Sequence, residues 1–549
     1  MTTPMPMRFL PVNLNAMLVE LADLPQTLAL LASLRAEPIA GVEEIVPAAR
    51  TLLVAFRPAA IAADELVRRI GLRSLDARET RIDRRIEIPV RYDGEDLAEV
   101  AGLLGIAPEE VVRCHTGSDY TVAFTGFAPG FAYLSGGDPS LNVPRRKVPR
   151  TRIPAGAVGL AGSFSGVYPQ ASPGGWQIIG ITDTPMWDLS RVPPALPALL
   201  QPGDTVRFVD VTAQPRATPV AAAVSPSPSP SPLPSPTQPV ASAGAGVLEI
   251  RATGLQALLQ DGGRHGQAKQ GVSASGAMDQ RSLQAANRLV GNASDAACIE
   301  IACGGFQLAC RGDAVVAIAG ADGPVTLTRA DGAKWPVPRY QPIALVDGDV
   351  LAIGEPQAGI RSYLAVRGGF DVAPVLGSLS TDTLARIGPP AIAAGDLLPV
   401  RAVEAGAPVG APETPPDGLP TVHEEVVLDI VPGPRTDWFK PEALELLCRQ
   451  PWTVAPQSNR VGIRLAGEVP LARANHAELP SEGTAYGALQ VPPSGQPVLF
   501  LADHPLTGGY PVIASVATYH LDRAGQIPVN ARVRFNPIAA PGPVAPSAP

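Results

Sequence analysis

Residues Arg152–Gly180 read RIPAGAVGLAGSFSGVYPQASPGGWQIIG. The stretch is dense in Gly, Pro and Ser, yet Val158–Ala161, Tyr168 and Trp176 interrupt it with apolar side chains. A flexible linker has the first feature and lacks the second. Short apolar runs separated by Gly/Pro turns predict short β-strands, and glycine inside such runs marks places where the backbone approaches another group closely. The same texture extends from Gly117 to Asp210, which predicts a β-barrel or sandwich.

Upstream, NAMLVEL and ARTLLVAF predict strands, while LPQTLALLASLRA and AADELVRRIGL carry helical spacing. RRIEIPVRY alternates like a strand, and EDLAEVAGLLGIAPEEVVRC predicts a helix or helix pair. The expected organisation is a small α+β domain at 1–115 and a β-barrel at 116–212. Pro215–Gly246, PRATPVAAAVSPSPSPSPLPSPTQPVASAGAG, has no aromatic residue and no charge after Arg216. Residues 213–246 are therefore expected to be a semi-stiff tether. Beyond it, a first β-rich domain at 247–405 holds one helix at DQRSLQAANRLVGN, a Pro-rich connection spans 406–422, and a second barrel at 423–540 holds a helix at KPEALELLCRQ. Residues 541–549 are expected to be a disordered tail. RIPAGAVGLAG is echoed by LPSEGTAYGALQ (Leu479–Gln490), and SPGGWQIIG is matched to PPSGQPVLFLA. Two barrels of related shape are expected, in a chain that is mainly β with α+β elements.

Composition excludes several classes. Of 549 residues 46% are hydrophobic and 17% charged, and the net charge of −8 argues against a nucleic-acid partner. Five cysteines make no disulfide framework; Cys298, Cys303 and Cys310 lack a partner His or CxxC spacing and are expected to be buried free thiols rather than metal ligands. No run approaches the ~20 apolar residues of a spanning helix. No membrane partner and a cytoplasmic location are expected.

YTVAFTGFAPGFAYLSGGDPSLNVPRR, PRTRIPAGAVGLAG and YPQASPGGWQIIG closely resemble the allophanate hydrolase subunit 1 family. LQALLQDGGRHGQAKQGVSASGAMDQRSLQAANRLVGN, PGPRTDWF, PQSNRVGIRL, LPSEGTAYGALQVPPSGQPVLFLAD and TGGYPVIASV resemble subunit 2. These families are similar to the B and C subunits of 5-oxoprolinase, to a kinase A inhibitor with its antagonist, and to the carboxyltransferase region of urea carboxylase. The resemblance implies cyclophilin-like barrels in both halves. No GxxxxGK[ST] loop, biotin-attachment lysine or amidase signature is present, so no biotin is expected on this chain. The resemblance favours the B and C components of an ATP-dependent 5-oxoprolinase, with ATP and Mg as implied cofactors. It implies a separate A subunit and a small-molecule substrate, and leaves self-association open. Carboxyl transfer with biotin from another protein, and inhibition of a sensor histidine kinase, are the alternatives.

Opening a lactam with ATP calls for anion holders, which arginine forks and backbone N–H groups supply. Arg145, Arg146, Arg150 and Arg152 offer a clamp, or else a solvated basic loop. Phe127, Pro129, Gly130, Phe131 and Tyr133 form a ligand wall or a core turn; Tyr168, Ser172, Gly174 and Gly175 form one pocket face or plain turns. Ser275, Gly276 and Asp279 precede a helix, as an anion turn or a cap. Asp261, Arg264 and His265 form a polar trio, and Ser458, Arg460, Ser481, Gly483, Gln490, Asp503, Thr507, Gly508 and Gly509 add binding groups. Glu482 is the candidate base, with Asp279, Asp261 and His265 as further catalytic candidates. Leu506 and Val512 stand where the family more usually has a hydroxyl and a cation, which implies a changed pocket.

Overall fold

The computed structural model describes residues 7–75, 84–146, 148–191, 195–214, 246–403, 408–540 and 542–544. The tether expected at 213–246 lies outside them except at its ends, and so does most of the expected tail. Within that tail, Val544 forms an antiparallel bridge to Phe9.

The chain opens with a four-stranded sheet in the order Arg8–Asn13, Ala16–Glu20, Thr51–Phe56, Val42–Pro47. Helices Leu24–Ala36 and Ala63–Gly71 accompany it. The first starts where Asp23 accepts the Gln26 N–H at 2.9 Å, with proline in its first turn. All five residues of Ala16–Glu20 are buried. Met17 and Val19 pack with helix residues Leu30, Leu34 and Val67. Leu18, with Leu10, Val46 and Leu53, packs instead on Ala268 and Leu506 of the second half. A strand covered on both faces reads as a continuous apolar run, which AMLV is.

The two barrels share one strand order. In the first, neighbours run Gln177–Ile181, Ala157–Ala161, Phe164–Val167, Ala132–Ser135, Asp119–Thr125, Thr205–Asp210, Arg85–Val90. In the second they run Val512–Val516, Ala488–Gln490, Val498–Phe500, Gly462–Ala466, Trp452–Val454, Arg532–Pro537, Glu425–Pro432, and the ring is closed. Each barrel pairs its first strand in parallel with its last: Ile86 faces Val206, and Val426 faces Val533. A bridge between Arg91 and Ile181 joins the ends of the first. A two-stranded ribbon accompanies each, Arg150–Ile153 with Ser172–Gly174 and Glu482–Gly483 with Thr507–Gly508.

Two expectations change. The boundary at 115 moves to before residue 84, because Arg85–Val90 and helices Leu97–Leu104 and Pro108–Gly117 belong to the first barrel. Ile88, Val90, Val100 and Val111 share one core with Val122, Leu134 and Val206. The parallel partner of Arg85–Val90 lies far downstream, where local patterning does not reach. The helix pair breaks at Gly105, whose φ of 69° suits glycine, and restarts on Pro108. The second change concerns the echo: strand order makes TGGYPVIASV, not PPSGQPVLFLA, the counterpart of SPGGWQIIG.

Between the barrels, a six-stranded and a five-stranded sheet enclose a core that includes Leu248, Ile299, Phe306, Leu351, Leu364 and Phe370. Helix Gln280–Val290 packs Leu283, Ala286 and Leu289 against Ala317, Ala319 and Tyr363 of the five-stranded sheet. Cys298 and Cys310 are buried as expected, but Cys303 is exposed on a turn with φ of 60°.

Candidate functional site

A cavity of about 670 Å³ opens where the N-terminal sheet unit and the two barrels meet. Asp23 and Arg50 come from the first, Arg145 and Phe164 from the first barrel, Glu478 and Ser481 from the second. Arg145 is its cation at the meeting of the two barrels. Its Nη2 donates to Ser481 Oγ at 3.2 Å, and its Nε lies 3.0 Å from Glu478 Oε1. Its Nη1 lies over Gly509, where an added Cβ would come within 2.8 Å. Gly509 thus leaves room for the Arg145 head, which a Cβ there would push aside. The Tyr133 hydroxyl reaches Ser481 Oγ at 3.2 Å. Behind it, Tyr133 stacks on Phe124 at 4.3 Å, and Phe131 meets Tyr133, Tyr168 and Trp176 edge-on at 5.1–5.4 Å. Phe131 and Tyr168 are therefore core behind the cavity, and burial pushes the Tyr168 phenol up.

The other arginines of the stretch do different work. Arg146 and Arg150 converge on buried Asp96, at 2.6 Å to Oδ1 from each and 2.8 Å to Oδ2 from Arg150. Asp96 also accepts the Ile178 N–H at 2.7 Å, so these forks tie a helix to a strand. Arg152 is exposed, with no hydrogen bond or ion pair among the described residues. The four-arginine clamp therefore reduces to Arg145. Gly174 leaves room for the Tyr168 hydroxyl, which would lie 2.3 Å from a Cβ there, and Gly175 O accepts the Arg146 N–H at 2.7 Å. Ser172 pairs with Ile153, its Oγ buried without a partner. The turn holding Pro129 plugs the second half: Phe127 N–H donates to Thr507 Oγ1 at 2.9 Å and Gly130 N–H to Gln270 O at 2.9 Å.

Away from the cavity, several second-half candidates assemble into one buried network between the double-sheet unit and the second barrel. Asp503 accepts from Ser275 Oγ at 2.6 Å, from Thr383 N–H and Oγ1 at 2.9 and 2.7 Å, and from Arg460 at 3.0 Å on both oxygens. Arg460 also pairs with Glu300 and donates to Gly276 O at 2.6 Å. Asp382 packs beside Asp503; burial, then that neighbouring charge, pushes its carboxyl up to about 7. Asp261 is filled by Gly263 N–H, Leu379 N–H, Ser378 Oγ and Ser380 Oγ. Buried Arg264 donates to Val375 O and Ser380 O. Asp279 caps its helix through Ser282 N–H at 2.9 Å and also receives Gln526 Nε2 at 2.8 Å.

Glu482 does not face the cavity as a free base. Arg435 Nε donates to both its oxygens at 3.0 Å, and Arg435 Nη2 lies 3.1 Å from Glu20 Oε1 of the N-terminal sheet. Arg8, 2.7 Å from Glu20, extends the chain of charges. Gly483 lies against Leu53, where a Cβ would come within 2.6 Å. Gln490 donates to Tyr510 O at 3.2 Å and crosses Gly508. His265 is exposed and contacts Gly262 O, and Ser458 closes a local turn on Ala455 O. Leu506 packs into the junction between the halves and Val512 into a small apolar cluster with Ala488 and Phe500, and neither lines the cavity. Sequence reasoning missed Glu20, Asp96, Glu300, Asp382, Arg435 and Glu478. An acid inside an apolar strand, as in AMLVE and CIEIA, was the available signal, since a buried charge needs a partner.

Among the described residues, no three His, Cys, Asp or Glu side chains converge to hold a metal ion, and no helix is long and apolar enough to cross a membrane.

Residues 7–197 match the family described as carboxyltransferase domain, subdomain C and D, and residues 270–537 match subdomain A and B. Over 292 residues the chain is 36% identical to the C subunit of 5-oxoprolinase from Escherichia coli K12, covering 53% of this chain and 90% of that one. The chain belongs to the carboxyltransferase-domain family. It is a fusion of the two subdomain pairs. Over 129 residues it is 48% identical to the B subunit of 5-oxoprolinase from Haemophilus influenzae, covering 23% of this chain and 59% of that one. The crystal structure of TTHA0988 superimposes with a TM-score of 0.77 at 35% identity, covering 95% of this chain and 99% of that one. The carboxyltransferase domain supports an enzyme function of that type.

Proposed function

We propose that the chain is the fused B and C component of an ATP-dependent 5-oxoprolinase, which opens 5-oxo-L-proline to L-glutamate together with a separate A subunit. The observation that carries this reading is the cavity walled by both halves, with Arg145 fixed at its junction. Two halves similar to the B and C subunits of that enzyme, in one chain, add support. A small acid needs its carboxylate held by a cation, and a guanidinium held in place suits that. In this reading Arg145 takes the carboxylate. Ser481, which lines the cavity and is met from behind by the Tyr133 hydroxyl, offers a hydroxyl for the amide. ATP would supply the phosphoryl group that activates the amide oxygen. Magnesium would come with the ATP phosphates, since no three His, Cys, Asp or Glu side chains converge among the described residues, and no step here runs through it.

A second reading is carboxyl transfer, favoured by the family description and by 34% identity over 310 residues to urea amidolyase of Saccharomyces cerevisiae, of which 17% is covered. One experiment separates the two. The purified chain is mixed with an A subunit and 5-oxo-L-proline, and glutamate is measured with and without ATP and magnesium. ATP-dependent release that needs both proteins is expected. Release by the chain alone, or bicarbonate-dependent consumption of urea with a biotin carrier, would overturn the proposal.

A further inference from the structure

Three ionic contacts of the first barrel and the half-to-half junction differ in kind. Asp96 holds Arg146 and Arg150 with an acid side chain only 2% exposed, and Glu482 holds Arg435 with both partners at 10% or less. These are closed structural pairs. The Arg145–Glu478 contact is open: Glu478 is 50% exposed, and both residues line the cavity.

Arg145 is held by protein at Nη2, which donates to Ser481 Oγ, while its Nη1 lies over the open space that Gly509 leaves. Its Nε is buried, and no hydrogen bond meets it. Glu478 thus supplies charge at 3.0 Å without an aligned bond. Its segment, Ala474–Glu478, is exposed throughout and has no regular structure. Besides the contact with Arg145, that segment is anchored among the described residues at its ends, by the Ala474 and Asn475 N–H groups on Trp438 O and by buried Leu479. A cation and a replaceable acid in contact with it therefore line a cavity large enough for a drug-sized ligand.

We propose that Glu478 is an internal stand-in for an anionic ligand, occupying Arg145 until a carboxylate or phosphate displaces it. This rests on the cavity being the ligand site, and it goes beyond that reading by naming the residue that sets anion affinity there. The cost of displacement is small because Glu478 is half exposed. An exposed pair contributes at most a few-fold in an equilibrium constant.

Calorimetric titration of the full chain tests this with two probes, 5-oxo-L-proline and inorganic phosphate. Glu478→Gln should bind at least one of them about three- to fivefold more tightly than the parent. The gain should vanish in the Glu478→Gln/Arg145→Gln double variant, which isolates the pair. Phosphate tightened while 5-oxo-L-proline fails to bind any form would keep the stand-in and remove the substrate reading. Neither anion tightened in Glu478→Gln, or a gain that persists without Arg145, would overturn the inference. Glu478 is exposed, so its replacement should leave the melting temperature within about 1–2 °C of the parent.

Discussion

Replacing Arg435 with Met should destabilise the protein strongly at pH 8 and weakly at pH 5. Arg435 is 3% exposed and serves Glu482 from one half-molecule and Glu20 from the other. Both carboxylate side chains are 10% exposed. Glu20 keeps Arg8 at 2.7 Å, but that arginine is 34% exposed and its charge is screened. Glu482 keeps no cation, and Asp437 adds like charge nearby. Removing one partner of a buried pair costs about 3–5 kcal/mol. At roughly 2–4 °C per kcal/mol for a domain of this size class, the melting transition should fall by about 6–20 °C. The sign of the pH effect follows from the remaining acid. In the parent, burial already pushes the Glu482 carboxyl up while Arg435 pulls it down. Without Arg435 only the upward push remains. A folded-state value raised above the unfolded one gives stability present at low pH and lost as pH rises through it. The deficit should therefore shrink from pH 8 to pH 5, and Arg435→Met/Glu482→Gln should recover part of it at pH 8. Thermal and urea unfolding at both pH values would measure this. A deficit under about 1 kcal/mol at pH 8, or one equal at both pH values, would refute the argument.

Cutting the chain between Ala223 and Ala241 should leave two halves that co-elute in size-exclusion chromatography, because Glu20–Arg435, Phe127–Thr507 and Asn13 Nδ2–Val516 O all cross between them. Halves that separate completely would contradict it. Gly509→Ala should lower anion affinity several-fold while changing stability by less than about 1 kcal/mol, since the new Cβ meets only the far end of Arg145; titration beside a melting curve decides. Asp382→Asn should gain stability over the parent as pH rises through about 7, and the gain should fade toward pH 4, because burial and Asp503 raise the native carboxyl. Equal pH profiles for parent and variant would exclude that role.

In the first 72 residues, two strands and both helices were legible from local pattern: AMLVE and TLLVAF are apolar runs, and LPQTLALLASLRA sits behind an Asp–Leu–Pro start; the strands Arg8–Asn13 and Val42–Pro47, broken by proline and by two glutamates, were not read. The barrel texture of Gly117–Asp210 was legible from its turns. Assigning Arg85–Val90 was not, since its parallel partner is Thr205–Asp210 and only the closed sheet shows that. Charged residues failed for a related reason. VPRRKVPRTR announces positive charge, but whether each arginine meets Asp96, Glu478 or water depends on acids distant in the chain. Asp261, Ser275, Arg460 and Asp503 were singled out as site residues, and their hydrogen bonds go to one another or to neighbouring protein groups. A buried polar network and an active site draw on the same residue types, and sequence shows the types without showing what fills their bonds.

The Gly126–Phe131 turn of the first half reaches both structural units of the second, through Gln270 and Thr507. Each half alone would leave that turn, or the sites receiving it, bare to water along with the apolar sheet face around Leu18 and Leu53. Unequal synthesis of two separate polypeptides would leave the surplus one with this face exposed, a liability for aggregation. One reading frame fixes dosage at one to one. Joining the halves in one chain also makes their docking an intramolecular event. Chain fusion thus acts here as quality control over assembly, without adding a contact.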